Sequence, residues 1–295
     1  MDKSLNPTRE MRMTLLKFEK RKESIGKLRN IVSALRSMAA LRVQQTQKPV
    51  KGMRQYRKIM AHSIARFRNF EDISATTNEK KGKKMLIVFC SEYGFVGGYN
   101  RSILEEVKKL DMKDYSFGFI GTRGLTLATE FKIEPDWAVP SSGDYNSVQH
   151  KAREIAAFIY QAVNDGVNSI KLLYAEKREA KQVEIKFRPL FPVEVAKFHK
   201  SDDHEEMPLL NMPPEDLLKY LTEEYIMASL GCAVMESLQA ENTVRLNAMD
   251  QAHQNITKKY DQINLLLHQK YQEEITTELL DIITGFKVQK EKIIN

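Results

Sequence analysis

The chain has 295 residues, 42% of them hydrophobic and 29% charged, which supplies a core and predicts one large domain or two smaller ones. Its 13 Gly and 9 Pro exclude collagen-like and low-complexity chains, and two cysteines, Cys90 and Cys232, give no disulfide framework and fit a reducing compartment. No run of 18 apolar residues is present to span a membrane, and the start MDKSLNPTRE lacks the apolar stretch of a secretory signal.

The net charge of +7 is unevenly spread. Residues 1–70 carry 18 basic and 4 acidic side chains, a balance of +14. Residues 201–295 carry 8 basic and 17 acidic ones, a balance of −9. A basic start and an acidic end can attract each other. Two solvated helix faces that merely differ in sign are the blander reading.

A first helical segment runs from Thr8 to Phe70. Ile25, Leu28, Val32, Leu35 and Ala39 make a narrow apolar seam at steps of three and four, and Met53, Tyr56, Met60, Ile64 and Phe67 continue the rule. Pro49 and Gly52, between the two stretches, predict a kink or short break.

The middle alternates between strand and helix patterns. Met85 to Cys90 reads as a buried strand, Asn100 to Leu110 as a helix, Tyr115 to Ile120 as a strand and Thr122 to Glu130 as a short helix. Ser147 to Asn164 is helical, and Ile170 to Tyr174 is a further strand. Val183, Ile185 and Phe187 alternate with Glu184, Lys186 and Arg188, as on an edge strand. This is an α/β layer domain, Rossmann-like, with a mostly parallel sheet. Ser201 to Met207 reads as a solvated linker.

The last segment starts at Pro213-Pro214 with Glu215 and Asp216 next, a good helix start. About 70 residues follow without proline. Leu218, Leu221 and Tyr225, then Ile256, Tyr260, Ile263 and Leu267, then Leu279, Ile282 and Phe286 form its seam, and Gly285 takes a C-cap position. An unbroken helix of this length reaches roughly 105 Å. A compact chain of this size has a radius of gyration near 19 Å, so the helix is expected to protrude and to need a partner helix. The expected organisation is a long N-terminal helix over 1–75, an α/β domain over 76–205 and a long C-terminal helix over 206–295, with the two helices in an antiparallel coiled coil. A helical bundle broken at Gly231 and around Asn242 is the alternative.

Motifs for chemistry of the chain's own are few. Gly94-Phe95-Val96-Gly97-Gly98 follows a strand and precedes a helix, the place of a phosphate cradle, but matches neither GxGxxG nor GxxxxGK[ST]. A tight turn explains it better. No HExxH or GxSxG occurs. His199 and His204 flank acids in the linker, where a solvated loop outweighs a loose metal site. We expect no catalytic residues, no metal and no cofactor. Glu241 and Arg245 break the apolar stripe of the C-terminal helix four residues apart, either as an internal ion pair or as a contact to another subunit.

At these residues the sequence also resembles a known family. Glu236-Ser-Leu-Gln-Ala-Glu241-Asn-Thr-Val-Arg245-Leu-Asn-Ala-Met249-Asp250 resembles a block of the gamma subunit of rotary F-type ATP synthases. Ile275-Thr-Thr-Glu278-Leu-Leu-Asp-Ile-Ile-Thr-Gly285 resembles the block that ends that family. Ser91-Glu-Tyr-Gly94-Phe-Val-Gly97-Gly98-Tyr-Asn100 is similar to its Ser/Thr-Asp-Arg-Gly-Leu-Cys-Gly-Gly-x-Asn.

The resemblance implies a central rotor shaft that couples rotation to ATP synthesis or hydrolysis in a ring of alpha and beta subunits. It also implies contacts with the epsilon subunit and the membrane c-ring, and a peripheral place on the cytoplasmic face of a bacterial inner membrane. Contact or torque positions would be Arg245, Glu241, Gln272, Thr276, Glu278, Leu35, Arg36 and Met38. Gly94, Gly97, Gly98 and Asn100 would shape a structural loop. Some positions depart from the family pattern. Leu35 stands at the coupling methionine position with Met38 nearby, Val96 replaces the cysteine, Glu92-Tyr93 replace Asp-Arg, and the tail 286–295 runs past the usual end. These departures suggest a divergent paralogue, as in a second complex using an ion such as sodium. The ion itself is selected in the membrane ring. A basic coiled coil binding nucleic acid, or acting as a scaffold, and a soluble α/β enzyme with helical arms are the competing classes.

Overall fold

The computed structural model describes residues 7–70, 82–111, 115–178, 182–193 and 210–294. The order of elements is α1 (Pro7–Phe70), β1 (Lys83–Phe89), α2 (Tyr99–Lys108), β2 (Tyr115–Ile120), α3 (Thr122–Glu130), β3 (Trp137–Val139), α4 (Val148–Asn164), β4 (Val167–Lys177), β5 (Val183–Phe191) and α5 (Pro214–Ile294). The expected linker Ser201–Met207, with His199 and His204, lies outside the described residues. By contact the chain divides into two units. One joins Met1–Arg36 to Met249–Asn295, and the other is Ser37–Ala248.

In the first unit α1 and α5 run antiparallel. Arg12 bonds Glu278 at 3.0 Å, Glu19 accepts from the Tyr271 hydroxyl, Arg29 lies over the Tyr260 ring at 4.5 Å, and Arg36 pairs with Asp250. Residue numbers rise on one helix as they fall on the other. Leu15, Met249, Ile263 and Leu267 are buried along the contact. Leu28, expected on the seam, is 51% exposed; the face toward α5 carries Arg29, whose guanidinium gains the Tyr260 ring as a partner. Leu279, Ile282 and Phe286 are exposed too. Antiparallel pairing puts Glu278 against Arg12, and these three residues follow Glu278 on α5. Gly285 does not cap the helix, which continues to Ile294. An interior glycine costs only about 1 kcal/mol and no proline follows to stop the helix.

In the second unit the sheet order is β3-β2-β1-β4-β5. Four strands are parallel, and β5 is antiparallel at the edge. The three-residue β3 has no counterpart in the sequence reading, because it is too short for a period-2 pattern. Ile87, Phe89, Ile170, Leu172 and Tyr174 point to one face and pack with α4 and the Ile226–Met235 stretch of α5. Leu86, Val88, Leu173 and Ala175 point to the other and pack with α2 and α3. This alternation is what a parallel sheet covered on both faces requires.

Neither expected interruption breaks a long helix. Pro49 lies inside α1, where it removes a single N–H, while Thr46 and Val50 around it are buried. Gly231 lets Met53 approach; a Cβ there would stand 2.5 Å from the Met53 methyl carbon. Asn242 and Thr243 bond back to the carbonyls of Leu238 and Gln239 at 2.8 Å, so their side chains are satisfied along the helix.

Candidate functional site

The connections β1–α2–β2 and β2–α3–β3 use helices on one face, while β3–α4–β4 uses the other. The chain therefore reverses between β1 and β4. In open α/β sheets of this kind, the crevice at the carboxyl ends of such strands is where ligands bind. Here α5 fills it. Glu236 of α5 pairs with Arg54 of α1 at the β4 side, where Arg54 also meets Glu176 at 3.7 Å. Ser237 bonds the buried hydroxyl of Tyr99 at 3.3 Å. Four and eight residues further on, Glu241 and Arg245 meet the turn that follows β1.

This turn is held from both chemical sides. The Glu241 carboxylate lies close enough to the backbone amides of Glu92 and Tyr93 for them to stabilise its charge. The Arg245 guanidinium donates to the carbonyl oxygens of Tyr93 at 3.1 Å and Gly94 at 3.2 Å. It also bonds Asn242 at 3.1 Å and pairs with Glu241 itself. Arg245 is 6% and Glu241 2% exposed. Burial pushes the Glu241 carboxyl above its ordinary value, and Arg245 with the two amides pulls it back.

The rest of the turn is fixed by its own residues. Asn100 accepts the Ser91 N–H at 2.9 Å and donates to the Ser91 hydroxyl at 2.8 Å. Glu92 accepts from Thr122 at the start of α3 and from the Ser141 N–H at 2.7 Å. Gly97 has φ of +54°, a conformation glycine adopts without strain, and Gly98 caps α2. Phe95 has φ of +62°, uncommon for a bulky residue. The glycines therefore make the strand-to-helix turn. The position where a pyrophosphate would sit on a nucleotide fold holds a carboxylate and a guanidinium instead.

The expected contact positions are divided. Glu241 and Arg245, with Gly94, Gly97, Gly98 and Asn100, form this one buried cluster. Met38, on α1 of the same unit, is 54% exposed. In the first unit Gln272 and Thr276 are exposed, Leu35 is half-buried, and Arg36 and Glu278 are engaged by Asp250 and Arg12. The hold of Glu92 on Thr122 and Ser141 was not foreseen; it depends on contacts 30 and 49 residues away. Among the described residues no three His, Cys, Asp or Glu side chains gather as a metal site. No helix among them is long and apolar enough to cross a membrane.

A family model described as ATP synthase matches residues 14–288. The ATP synthase gamma chain of Campylobacter jejuni strain 81-176 is 31% identical over 220 residues, covering 70% of this chain and 71% of its own. The chain belongs to the ATP synthase gamma-chain family. The gamma chain of Geobacter metallireducens is 26% identical over 92% of this chain and 97% of that relative. Among solved structures, the rotor of the Euglena gracilis mitochondrial ATP synthase matches with a TM-score of 0.60 at 14% identity, covering 89% of this chain and 99% of that one. The central stalk and c-ring structure from Tetrahymena thermophila matches with a TM-score of 0.57 at 20% identity, covering 75% and 99%. The family match spans both the paired long helices and the α/β unit.

Proposed function

We propose that this chain is the central rotor shaft of an F-type ATP synthase. It turns within a ring of alpha and beta subunits and joins the epsilon subunit and the c-ring. Family membership over residues 14–288 carries the reading. A shaft drives catalysis by offering each ring subunit a different surface, so that its nucleotide affinity changes in turn. Two features of the molecule support this role. The C-terminal stretch of α5 leaves Leu265, Ile275, Leu279, Leu280, Ile282 and Phe286 uncovered by the chain itself. Single exposed apolar residues are ordinary, but a run along one helix marks a surface that another protein covers. The N-terminal helix carries the excess of positive charge, suited to acidic loops of the ring.

Within this reading Leu35, Arg36, Met38, Gln272, Thr276 and Glu278 touch the ring. The complex sits peripherally on the cytoplasmic face of a bacterial inner membrane. The test is affinity capture of the chain from native membranes followed by ATP-driven ion pumping by the captured complex. Alpha- and beta-type nucleotide-binding subunits with pumping support the reading. Capture of nucleic acid, or of the chain alone, ends it.

A further inference from the structure

In its first half α1 carries two possible seams, and both contain Ile25 and Val32. One adds Leu28 and Leu35 at steps of three and four, and is apolar throughout. The other adds Lys22, Arg29 and Arg36 at the same steps. The two stand a seventh of a turn apart around the helix, about 50°. Hydrophobic burial alone favours turning the apolar seam toward α5. The helix turns the cationic one inward instead. Lys22 and Arg29 are half-buried, while Leu28 and Ile31 are 51% and 55% exposed.

Two residues of α5 make that choice. The Tyr260 ring lies between the cations, with the Arg29 guanidinium 4.5 Å and the Lys22 ammonium 5.9 Å from its centroid. Gly26 gives the ring its place, since a Cβ there would stand 3.7 Å from a ring carbon and a longer side chain would run into it. One heptad further along α1, Asp250 pairs with Arg36. Neither partner has anything to offer Leu28 or Leu35. The layer is also not the driest the helices could make. Thr257 and Asn264, three residues before Tyr260 and four after it, each bury a side-chain oxygen that has no hydrogen-bond partner among the described residues. Polar seam residues of this kind trade stability for one particular pairing.

We propose that Tyr260 and Asp250 are positioning residues that set the rotation of α1 about its own axis, keeping Leu28 and Ile31 out of the coil so that a subunit of the catalytic ring can cover them. The identity of that partner rests on the shaft reading. Within two turns of Tyr260, Leu265 and Leu266 of α5 are 62% and 43% exposed. Uncovered apolar side chains therefore stand on both helices, as suits a partner that surrounds the coil better than one lying on a single helix. Without Tyr260 and Asp250, α1 rolls by one seam position, Leu28 is buried against α5, and the outward surface is withdrawn.

The roll is read by thiol reactivity in the full chain. Leu28→Cys adds one exposed thiol to the buried Cys90 and Cys232. A maleimide should modify it quickly, and equally quickly with Tyr260→Phe, which keeps the aromatic face. With Tyr260→Leu and Asp250→Ala together the rate should fall about tenfold as the introduced thiol turns into the coil. Tyr260→Leu alone leaves an aliphatic residue on the seam and the Asp250 pair in place, so it should slow the reaction less, and it decides the matter where the double variant does not fold. An unchanged or faster rate in the folded variants, or equal slowing in Tyr260→Phe, would overturn the proposal. In the assembled complex, without the introduced thiol, the double variant should lose about tenfold in ATP-driven ion pumping, the size of a lost interface anchor, and Tyr260→Phe should keep the parent rate. Normal pumping by a double variant whose thiol is slowed would remove the positioning role. Parent complexes that contain no nucleotide-binding subunits would end the shaft reading and the ring as partner, while the thiol rates still decide the roll.

Discussion

Arg245 and Gly94 stand 151 positions apart, and a guanidinium N–H of the first meets the carbonyl oxygen of the second at 3.2 Å. Through this bond and its neighbours a helix near the end of the chain occupies the crevice at the carboxyl ends of β1 and β4. A fold that holds a nucleotide leaves that crevice open and turns backbone amides toward phosphate. Here the Glu241 carboxylate already faces the amides of Glu92 and Tyr93. A second anion would meet a carboxylate at the place it needs.

The isolated chain should therefore gain no thermal stability from ATP or ADP. A ligand at a hundred times its Kd would add about 2.7 kcal/mol, a shift of several degrees that differential scanning fluorimetry reads easily. A clear rise in melting temperature would revive the reading of an α/β enzyme with helical arms.

Removing one partner of the buried pair should cost far more than removing both. Arg245→Ala leaves the buried Glu241 carboxylate without its counter-charge and frees two carbonyls, so a loss of about 3–5 kcal/mol is expected in urea unfolding of the isolated chain. Glu241→Leu together with Arg245→Leu should lose less than Arg245→Ala alone, since no charge stays buried. A double variant weaker than the single one would refute this account of the pair.

Much of this architecture is legible in the sequence because the signals are local. The 3–4 spacing of Ile256, Tyr260, Ile263 and Leu267 marks a seam on α5, and Met85 to Phe89 reads as a buried strand from its apolar run alone. What periodicity misses is set by distant partners. Leu28 fits the seam by spacing, yet Tyr260 draws Arg29 to the face instead. Pro49 and Gly285 are breakers by local rule, but packing around Thr46 and Val50 carries α1 through the first, and α5 continues past the second. The spacing of Glu241 and Arg245 allowed an internal pair; that both also grip Tyr93 could not be read from a helix pattern, because the turn lies across the fold.

Both thiols should be silent in the folded protein. Burial pushes Cys232 up to about 12 from the ordinary 9.0, with nearby Glu236 adding to the effect, and burial raises Cys90 as well. The thiolate is the reactive form. Ellman's reagent at pH 8 should titrate no thiol in the native chain and two after denaturation. The unfolded thiol ionises first, so stability from Cys232 is complete below pH 9.0 and fades as pH climbs toward about 12. Cys232→Ser should flatten that alkaline decline.

Gly124 on α3 faces Cys90 at the end of β1, and a Cβ there would stand 2.0 Å from the Cys90 Cβ and 2.3 Å from its Sγ. Gly124→Ala, though it favours helix, should destabilise the chain by about 1–3 kcal/mol through overpacking. Cys90→Ala should not rescue it, because the nearer atom, the Cβ, remains; Cys90→Gly should recover part of the loss. Rescue by Cys90→Ala would show that the sulfur alone made the clash.

On α5, Leu265 and Leu267 are two residues apart and face opposite worlds. Leu267 is 5% and Leu265 62% exposed. In the isolated chain Leu267→Ala should cost about 2–5 kcal/mol, as cavities in packed cores do, while Leu265→Ala should stay within about 0.5 kcal/mol of the parent. In the assembled complex the order should narrow, because a ring that covers Leu265 makes its truncation costly too. Urea unfolding of the chain set beside coupled turnover of the complex separates the two roles. A Leu265→Ala variant with normal coupled turnover would mean that this face of the helix meets only water.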